Sequence, residues 1–545
     1  VVDTERRVFE WEQKVLRVER DFRVEGEVRV NPEEPPIDQV LSIECRLVDV
    51  VTEPVAEGLL IAGKMIPFLV CQATVASGPD VPAAMTYCSI KGEPISFSYM
   101  LELPTVPAGD RVKTDCRVFR VSAEPGDHHV IRVAGDILVV SIIVAPEREE
   151  LVVNAQVQPP AALNVAKEVF RVTEPLGTYQ GRAQVQTVLD LPYLCPPVFR
   201  VLWTRATPVN LHWESGKGKI KIEGDLSVTM VYLSRNEEDR EELMKVEWSR
   251  EAGPALHWHL EIDGQNIGED TRFLPVVTVP FCSAESYGKE NLRFEALVLA
   301  EVAPYRLIEG EVVVDLSAPE LILDINRRRL ELEDVLADQI AILPVERLLE
   351  LPAGRPELGR VLHCQVLANR ISGECGTGKI LLEGSTEIKL LYTAGDGESF
   401  PGVYTAAWEK TTALAWAESV QVSVAEEGFR AEVEGNVLGV SLEPVDGRRV
   451  RLLMEVMVRT RVLEQKHLSV VDDWAVVPKV APGTRSTMIF YLTQPGDTWW
   501  KVARKYQTTM EALAQENHLS LSEPLPAGKR LIIPMATMAK ITTLK

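Results

Sequence analysis

The stretch KIKIEGDLSVTMVY, Lys219–Tyr232, places an apolar residue at every second position on either side of Gly224. Such alternation marks a half-buried strand, and a glycine inside it marks a bulge or bend where a side chain would crowd the neighbouring strand. The same strand–Gly–strand shape occurs twice more, as GLLIAGKMIPFLVC from Gly58 and KILLEGSTEIKLLY from Lys379. The three superimpose on Gly63, Gly224 and Gly384, at offsets of 161 and 160 residues. Pro35-Pro36, Pro196-Pro197 and Pro356 keep those offsets, and VFEW from Val8 and VFRV from Val169 again differ by 161. Three anchors in one register amount to an internal repeat.

The chain therefore reads as three copies of one module at 1–150, 151–310 and 311–475. A linker at 476–486, a compact unit at 487–535 and a tail at 536–545 follow. The third copy is shorter in its second half: Gly63 to Gly135 is 72 residues, Gly384 to Gly435 only 51. FRVEGEVRV (22–30), VIRVAGDILVV (130–140) and FRAEVEGNVLGVSL (429–442) repeat the strand–Gly–strand pattern. Helical periodicity is scarce, its best case being RRRLELEDVLADQI from Arg327. The expected fold class is mainly β, each module an antiparallel β-sandwich or open barrel. Joints are expected at Asn154–Ala166 and Leu321–Arg329.

A chain of 545 residues has length for about three to four domains. It carries 80 acidic and 58 basic side chains, a net charge of −22, which disfavours nucleic acid and anionic membrane surfaces as partners of the body. From Thr487 onward seven Lys and Arg outnumber four Asp and Glu, so the end is locally basic. The longest apolar run, Ile137–Ala145, has nine residues and reads as a buried strand rather than a membrane span. The chain begins VVDTERRVFEW, without initiator Met or apolar signal core, and reads as a processed or trimmed form from which export is not legible. The eight cysteines form no CxxC pair and sit mostly in strand-like runs, which suits reduced, buried thiols better than a disulfide framework.

Motifs for catalysis fall short. GECGTGKI, Gly373–Ile380, has phosphate-loop spacing, but Ile380 stands where Mg²⁺ needs Ser or Thr, and the segment leads into a strand instead of a helix. His128-His129 and His257/His259 lack a further ligand at zinc spacing, and the latter two read as one strand face flanking Trp258. No G-x-S-x-G is present. No enzyme activity, metal or cofactor is expected.

The C-terminal unit differs from everything before it. STMIFYLTQPGDTWWKVARKYQTTMEALAQENHLSLSEPLPAGKRLIIP reads as strand, Pro495-Gly496-Asp497-Thr498, two helices, an Asn517-x-Leu519 loop and a closing strand before Pro534. This resembles a LysM domain over its full length, a small βααβ unit. Asp497 or Thr498 is placed to cap a helix whose Trp499, Val502, Ala503 and Tyr506 share a core-facing side. The resemblance implies binding of N-acetylglucosamine-containing glycans such as peptidoglycan in a groove between two loops. Carried over, the contacting residues are Gly496, Asp497, Thr498, Asn517, His518, Leu519 and Ser520, with Trp500 as a stacking face.

Tandem β-modules ending in one LysM unit resemble the SipL family of spore-coat morphogenetic proteins, whose module is the SPOCS domain. The resemblance rests on the x-V-E-G strand pairs, the turns at Leu191-Pro192 and Leu351-Pro352, and the domain order. It implies a non-catalytic assembly protein of the spore envelope, on the mother-cell side of the forespore, with the LysM unit docking a coat protein and the β-array acting as spacer and self-association surface. Two other classes stay open: a peptidoglycan-binding cell-surface protein, and a subunit of an extracellular or spore-surface filament built by head-to-tail β-module contacts.

Overall fold

The computed structural model describes residues 2–55, 58–75, 84–103, 110–126, 129–157, 162–235, 241–249, 256–288, 290–319, 321–395, 403–408, 415–477 and 489–534. The first module comprises β1 (Val2–Arg29), β2 (Ile37–Val55), β3 (Gly58–Val75), β4 (Ala84–Lys91), β5 (Ile95–Glu102), β6 (Arg111–Pro125) and β7 (Val130–Val157). In one sheet β3 is flanked by β2 on one side and by β4 and β5 on the other, and the second sheet runs β1-β7-β6, all antiparallel. Val24 and Val28 of β1, Leu59 and Ile61 of β3, and Ile131 and Ile137 of β7 meet in one core between the two sheets.

The second module repeats this with β8 (Asn164–Pro175), β9 (Tyr179–Asp190), β10 (Arg200–Gly216), β11 (Lys219–Arg235), β12 (Glu241–Trp248), β13 (Leu256–Asp263), β14 (Val276–Ser286), β15 (Asn291–Val302) and β16 (Tyr305–Ser317). Here β8 with β9 replaces β1, and β15 with β16 replaces β7. The third has β17 (Ile322–Glu350), β18 (Leu358–Gly376), β19 (Lys379–Ala394), β20 (Val403–Trp408), β21 (Ala415–Gln421), β22 (Arg430–Pro444) and β23 (Arg449–Val477). Register follows the repeat to the residue: Arg29 pairs Val130, Asp190 pairs Asn291, and Glu350 pairs Arg449.

The central glycines have a common physical cause. Gly63 lies opposite Phe97, Gly224 opposite Trp258 and Gly384 opposite Trp416. An added Cβ would meet those rings at 2.8, 3.2 and 2.0 Å. Each glycine leaves room for an aromatic side chain on the adjacent strand. The proline anchors are tied to the same strands. Tyr232 donates its hydroxyl to the Pro196 carbonyl at 2.9 Å, and Tyr392 to that of Pro356 at 3.1 Å.

At about 3.3 Å per residue, a strand of 28 residues such as β1 is far longer than one sandwich needs, and it serves two cores. Its second half belongs to the module. Its first half, paired with the end of β7, packs against the matching ribbons β8/β16 and β17/β23. Phe9, Phe170 and Leu330 are repeat-equivalent and share this centre, as do Trp11, Val172 and Leu332. The next layers are Val152, Val313 and Val471, then Ala155, Leu316 and Trp474. Bulges re-aim the side chains between the two cores. Val15 and Leu336 are the extra residues at equivalent places in β1 and β17, where the second module breaks its strand at Leu176.

A second shared core joins Leu41, Leu202 and Leu362 with Val70, Val231 and Leu391. The modules thus close around a pseudo-threefold axis instead of extending as a spacer array. Buried polar groups seal the joints. Arg459 grips Asp338 through two hydrogen bonds of 3.1 and 3.0 Å, and Tyr305 of the second module donates to the same carboxylate at 2.6 Å.

Several expectations change. Arg327–Ile340 lies within β17: Leu330, Leu332 and Val335 are buried because the segment pairs with β23 along its length. The expected joints are not free connectors, since Asn154–Val157 ends β7, Asn164–Ala166 begins β8, and residues 322–329 sit in the central bundle. Residues 158–161 lie outside the described set. The divisions at 150/151 and 310/311 fall inside β7 and β16. Gly373–Ile380 is the hairpin between β18 and β19, turning at Thr377–Gly378. It offers no helix N-terminus to a phosphate. His257 and His259 are exposed on β13 around buried Trp258, as read, while His128 lies outside the described residues.

Candidate functional site

The C-terminal unit consists of β24 (Ile489–Leu492), α1 (Trp499–Lys505), α2 (Met510–Glu516) and β25 (Arg530–Ile533), with the two strands antiparallel. Its core gathers Trp499, Val502, Leu513, Leu531 and Ile533, with Tyr506 packed at the side. The expected helix face is the observed one.

The first loop is a turn in which Asp497 N–H donates to the Gln494 carbonyl at 3.1 Å, with Pro495 and Gly496 at its corners. Gly496 has φ +84°, the conformation a type II turn demands at its third position. Thr498, not Asp497, caps α1: its side chain accepts from Lys501 N–H. Asp497 instead accepts from Tyr491 Oη and from Gln494 N–H, each at 2.7 Å. The Gln494 N–H, with the Tyr491 hydroxyl second, holds its carboxyl below the usual range.

The second loop begins where α2 ends. His518 adopts φ +54°, and Leu519 N–H reaches the Ala514 carbonyl at 3.0 Å while His518 N–H reaches that of Gln515 at 3.2 Å. This pair of bonds is the Schellman ending of a helix. Asn517 is internal: its amide donates to the Leu513 and Ile532 carbonyls at 2.8 and 2.7 Å and accepts from Ile532 N–H at 2.7 Å. Ser520 is exposed, with its hydroxyl 2.7 Å from that of Ser522. A cross-link fixes the two loops, since Trp499 Nε1 donates to the Glu523 carbonyl at 3.0 Å.

Residues 491–534 match the family model of the LysM domain. This segment is a LysM domain. No curated protein matches the chain, and neither does any solved structure.

The LysM loops therefore divide into two kinds of residue. Asp497, Asn517 and half-buried Leu519 spend their side chains on the fold, while Gly496, His518 and Ser520 form the exposed rim together with Thr498, which is exposed and also caps α1. Trp500 does not stand free as a stacking face: its indole N–H bonds Asp315 of β16 at 3.0 Å. Arg504, one turn further along α1, pairs with the same carboxylate. Sequence reasoning missed Asp315, Arg504 and Glu523. The i, i+4 spacing of Trp500 and Arg504 was a legible sign of a shared face, but nothing local marks Asp315 as its partner. Among the described residues no cluster of His, Cys, Asp and Glu suited to a metal is found, and no helix is long and apolar enough to cross a membrane.

Proposed function

We propose that the chain is a non-catalytic glycan-binding protein of the cell surface. Its LysM domain holds N-acetylglucosamine-containing polymers such as peptidoglycan, on a rigid base of three β-modules. The observation that carries this reading is the LysM domain itself, with an exposed rim on two loops that Trp499 and Glu523 pin together. The test is co-sedimentation of the full chain with purified peptidoglycan. His518→Gly and Ser520→Ala remove rim side chains, and glycine suits the left-handed φ of position 518. Retention by the parent chain and loss in the double variant is the expected result. No sedimentation of the parent overturns the reading.

A second reading is favoured by the engagement of Trp500 with Asp315. A LysM domain whose aromatic side already rests on protein is suited to protein docking, as in an assembly factor of the spore envelope. The order of three β-modules before a terminal LysM domain supports it. Capture of a coat protein from sporulating cells, with no peptidoglycan bound, would favour this reading. Closure of the modules around one axis weighs against a head-to-tail filament, because the faces that would propagate are occupied within the chain.

A further inference from the structure

A cavity of ≈ 1170 Å³ lies where the three modules meet, lined by all of them. Roughly 300–1,000 Å³ is usual for a small-molecule site, so the volume admits more than a few waters. Glu44, Arg205 and Gln365 occupy equivalent positions of β2, β10 and β18, as do Ser42, Trp203 and His363. The repeat thus brings different chemistry to one place: a carboxylate, a guanidinium and an amide, beside an indole and an imidazole.

Part of the charge nearby is matched. Arg205 meets Glu44 at 3.4 Å, Lys245 meets Glu247 at 2.7 Å, and Arg120 meets Glu387 at 3.3 Å. Beside these pairs, two neutral side chains are left without partners. His363 is 8% exposed, and its Nε2 is buried with no hydrogen-bond partner, the nearest carboxylate oxygen, of Glu44, being 3.8 Å away. Gln365 Oε1 is likewise buried without a donor. Burial, with Arg205, Lys245 and Lys389 nearby, holds the imidazole uncharged. Trp203 stands against the His363 ring at 4.1 Å between centroids and lines the same space.

We infer that this cavity binds a small neutral carbohydrate. A sugar hydroxyl donates and accepts at once, so one ligand can satisfy Gln365 Oε1 and His363 Nε2 in either tautomer, while its C–H face lies on Trp203. An anion gains less, since the cations closest to these atoms are ion-paired. Nothing in this depends on the LysM domain.

The test is calorimetric titration of the full chain with maltose, trehalose and chitobiose. Gln365→Ala and Trp203→Ala are compared with the parent chain and with His518→Gly/Ser520→Ala. The expected result is binding of at least one sugar, weakened about ten-fold by Gln365→Ala, the effect of one hydrogen bond. The LysM double variant should bind it unchanged. Gln365→Ala removes a buried acceptor that lacks a partner, so without sugar it should melt no earlier than the parent, which separates lost recognition from lost folding. Absence of binding to all three sugars overturns the inference, and so does binding abolished by the LysM variant while the cavity variants retain it.

Discussion

Asp315 Oδ2 accepts the indole N–H of Trp500 at 3.0 Å, joining β16 to the first LysM helix across 185 positions of sequence. The same carboxylate meets Arg504 and, from the third module, Arg327 at 2.5 Å. Asp315→Ala removes all three at once. Hydrogen bonds to charged groups contribute about 1.5–3 kcal/mol each. The variant should release the LysM domain without unfolding it, seen as a larger radius of gyration by X-ray scattering with the LysM melting transition unchanged. An unaltered scattering profile would show that other contacts hold the domain.

Gly384→Ala should be the most damaging of the three central glycine substitutions, because its Cβ would stand 2.0 Å from the Trp416 ring. Overpacking of this kind costs about 1–3 kcal/mol. Gly224→Ala, whose nearest ring atom is at 3.2 Å, should cost less. Thermal melts of the two variants decide the order, and adding Trp416→Leu to Gly384→Ala should restore part of the loss.

Asn517→Ala is a test of folding, not of recognition. The substitution leaves Ile532 N–H and two carbonyls without the amide that now serves them. A loss of about 1–3 kcal/mol in LysM stability is expected. Ser520→Ala should leave the melt unchanged, so any effect of Ser520 on glycan retention is free of this confusion.

Burial pushes the Cys45 and Cys364 thiols up to about 12 and the Cys116 thiol to about 11, against 9.0 for an ordinary thiol. The unfolded chain releases these protons at lower pH than the folded one, so stability should fall as pH rises above 9 toward 12. Urea midpoints followed between about pH 8 and pH 11 check this. Cys45→Ala/Cys364→Ala should show the shallower alkaline decline.

Asp338→Ala should destabilise the joint between the second and third modules. The Asp338 side chain is 2% exposed, as is fitting for the partner of Arg459 and Tyr305, and removing it strands a buried guanidinium. Loss of one member of such a pair costs about 3–5 kcal/mol. Denaturant unfolding of the full chain measures it.

The fold was legible where the pattern is local. Alternation around Gly224 marked a strand, the offsets of 161 and 160 marked the repeat, and Pro-Gly-Asp-Thr marked the LysM turn. The segment from Arg327 escaped because Leu330, Leu332 and Val335 fit both periods until the bulge before Ala337 is known. The rim of the candidate site was legible in part: Gly496, Thr498, His518 and Ser520 are exposed on the two loops. Asp497 and Asn517 were not separable from them, since a polar side chain in a loop motif looks the same whether it faces solvent or its own backbone.

Sequence alone thus determined what its own pattern carries: strand periodicity, the need for glycine where a neighbouring strand crowds the chain, helix caps and turns, and the threefold repetition. Only the tertiary structure decided how the copies associate. Phe9, Phe170 and Leu330 meet because three ribbons bury one face against each other, and Glu44, Arg205 and Gln365 face one cavity because the same strand of each module turns inward. Contacts between residues so far apart follow from closing the apolar faces of three sheets together, and no local pattern carries that information.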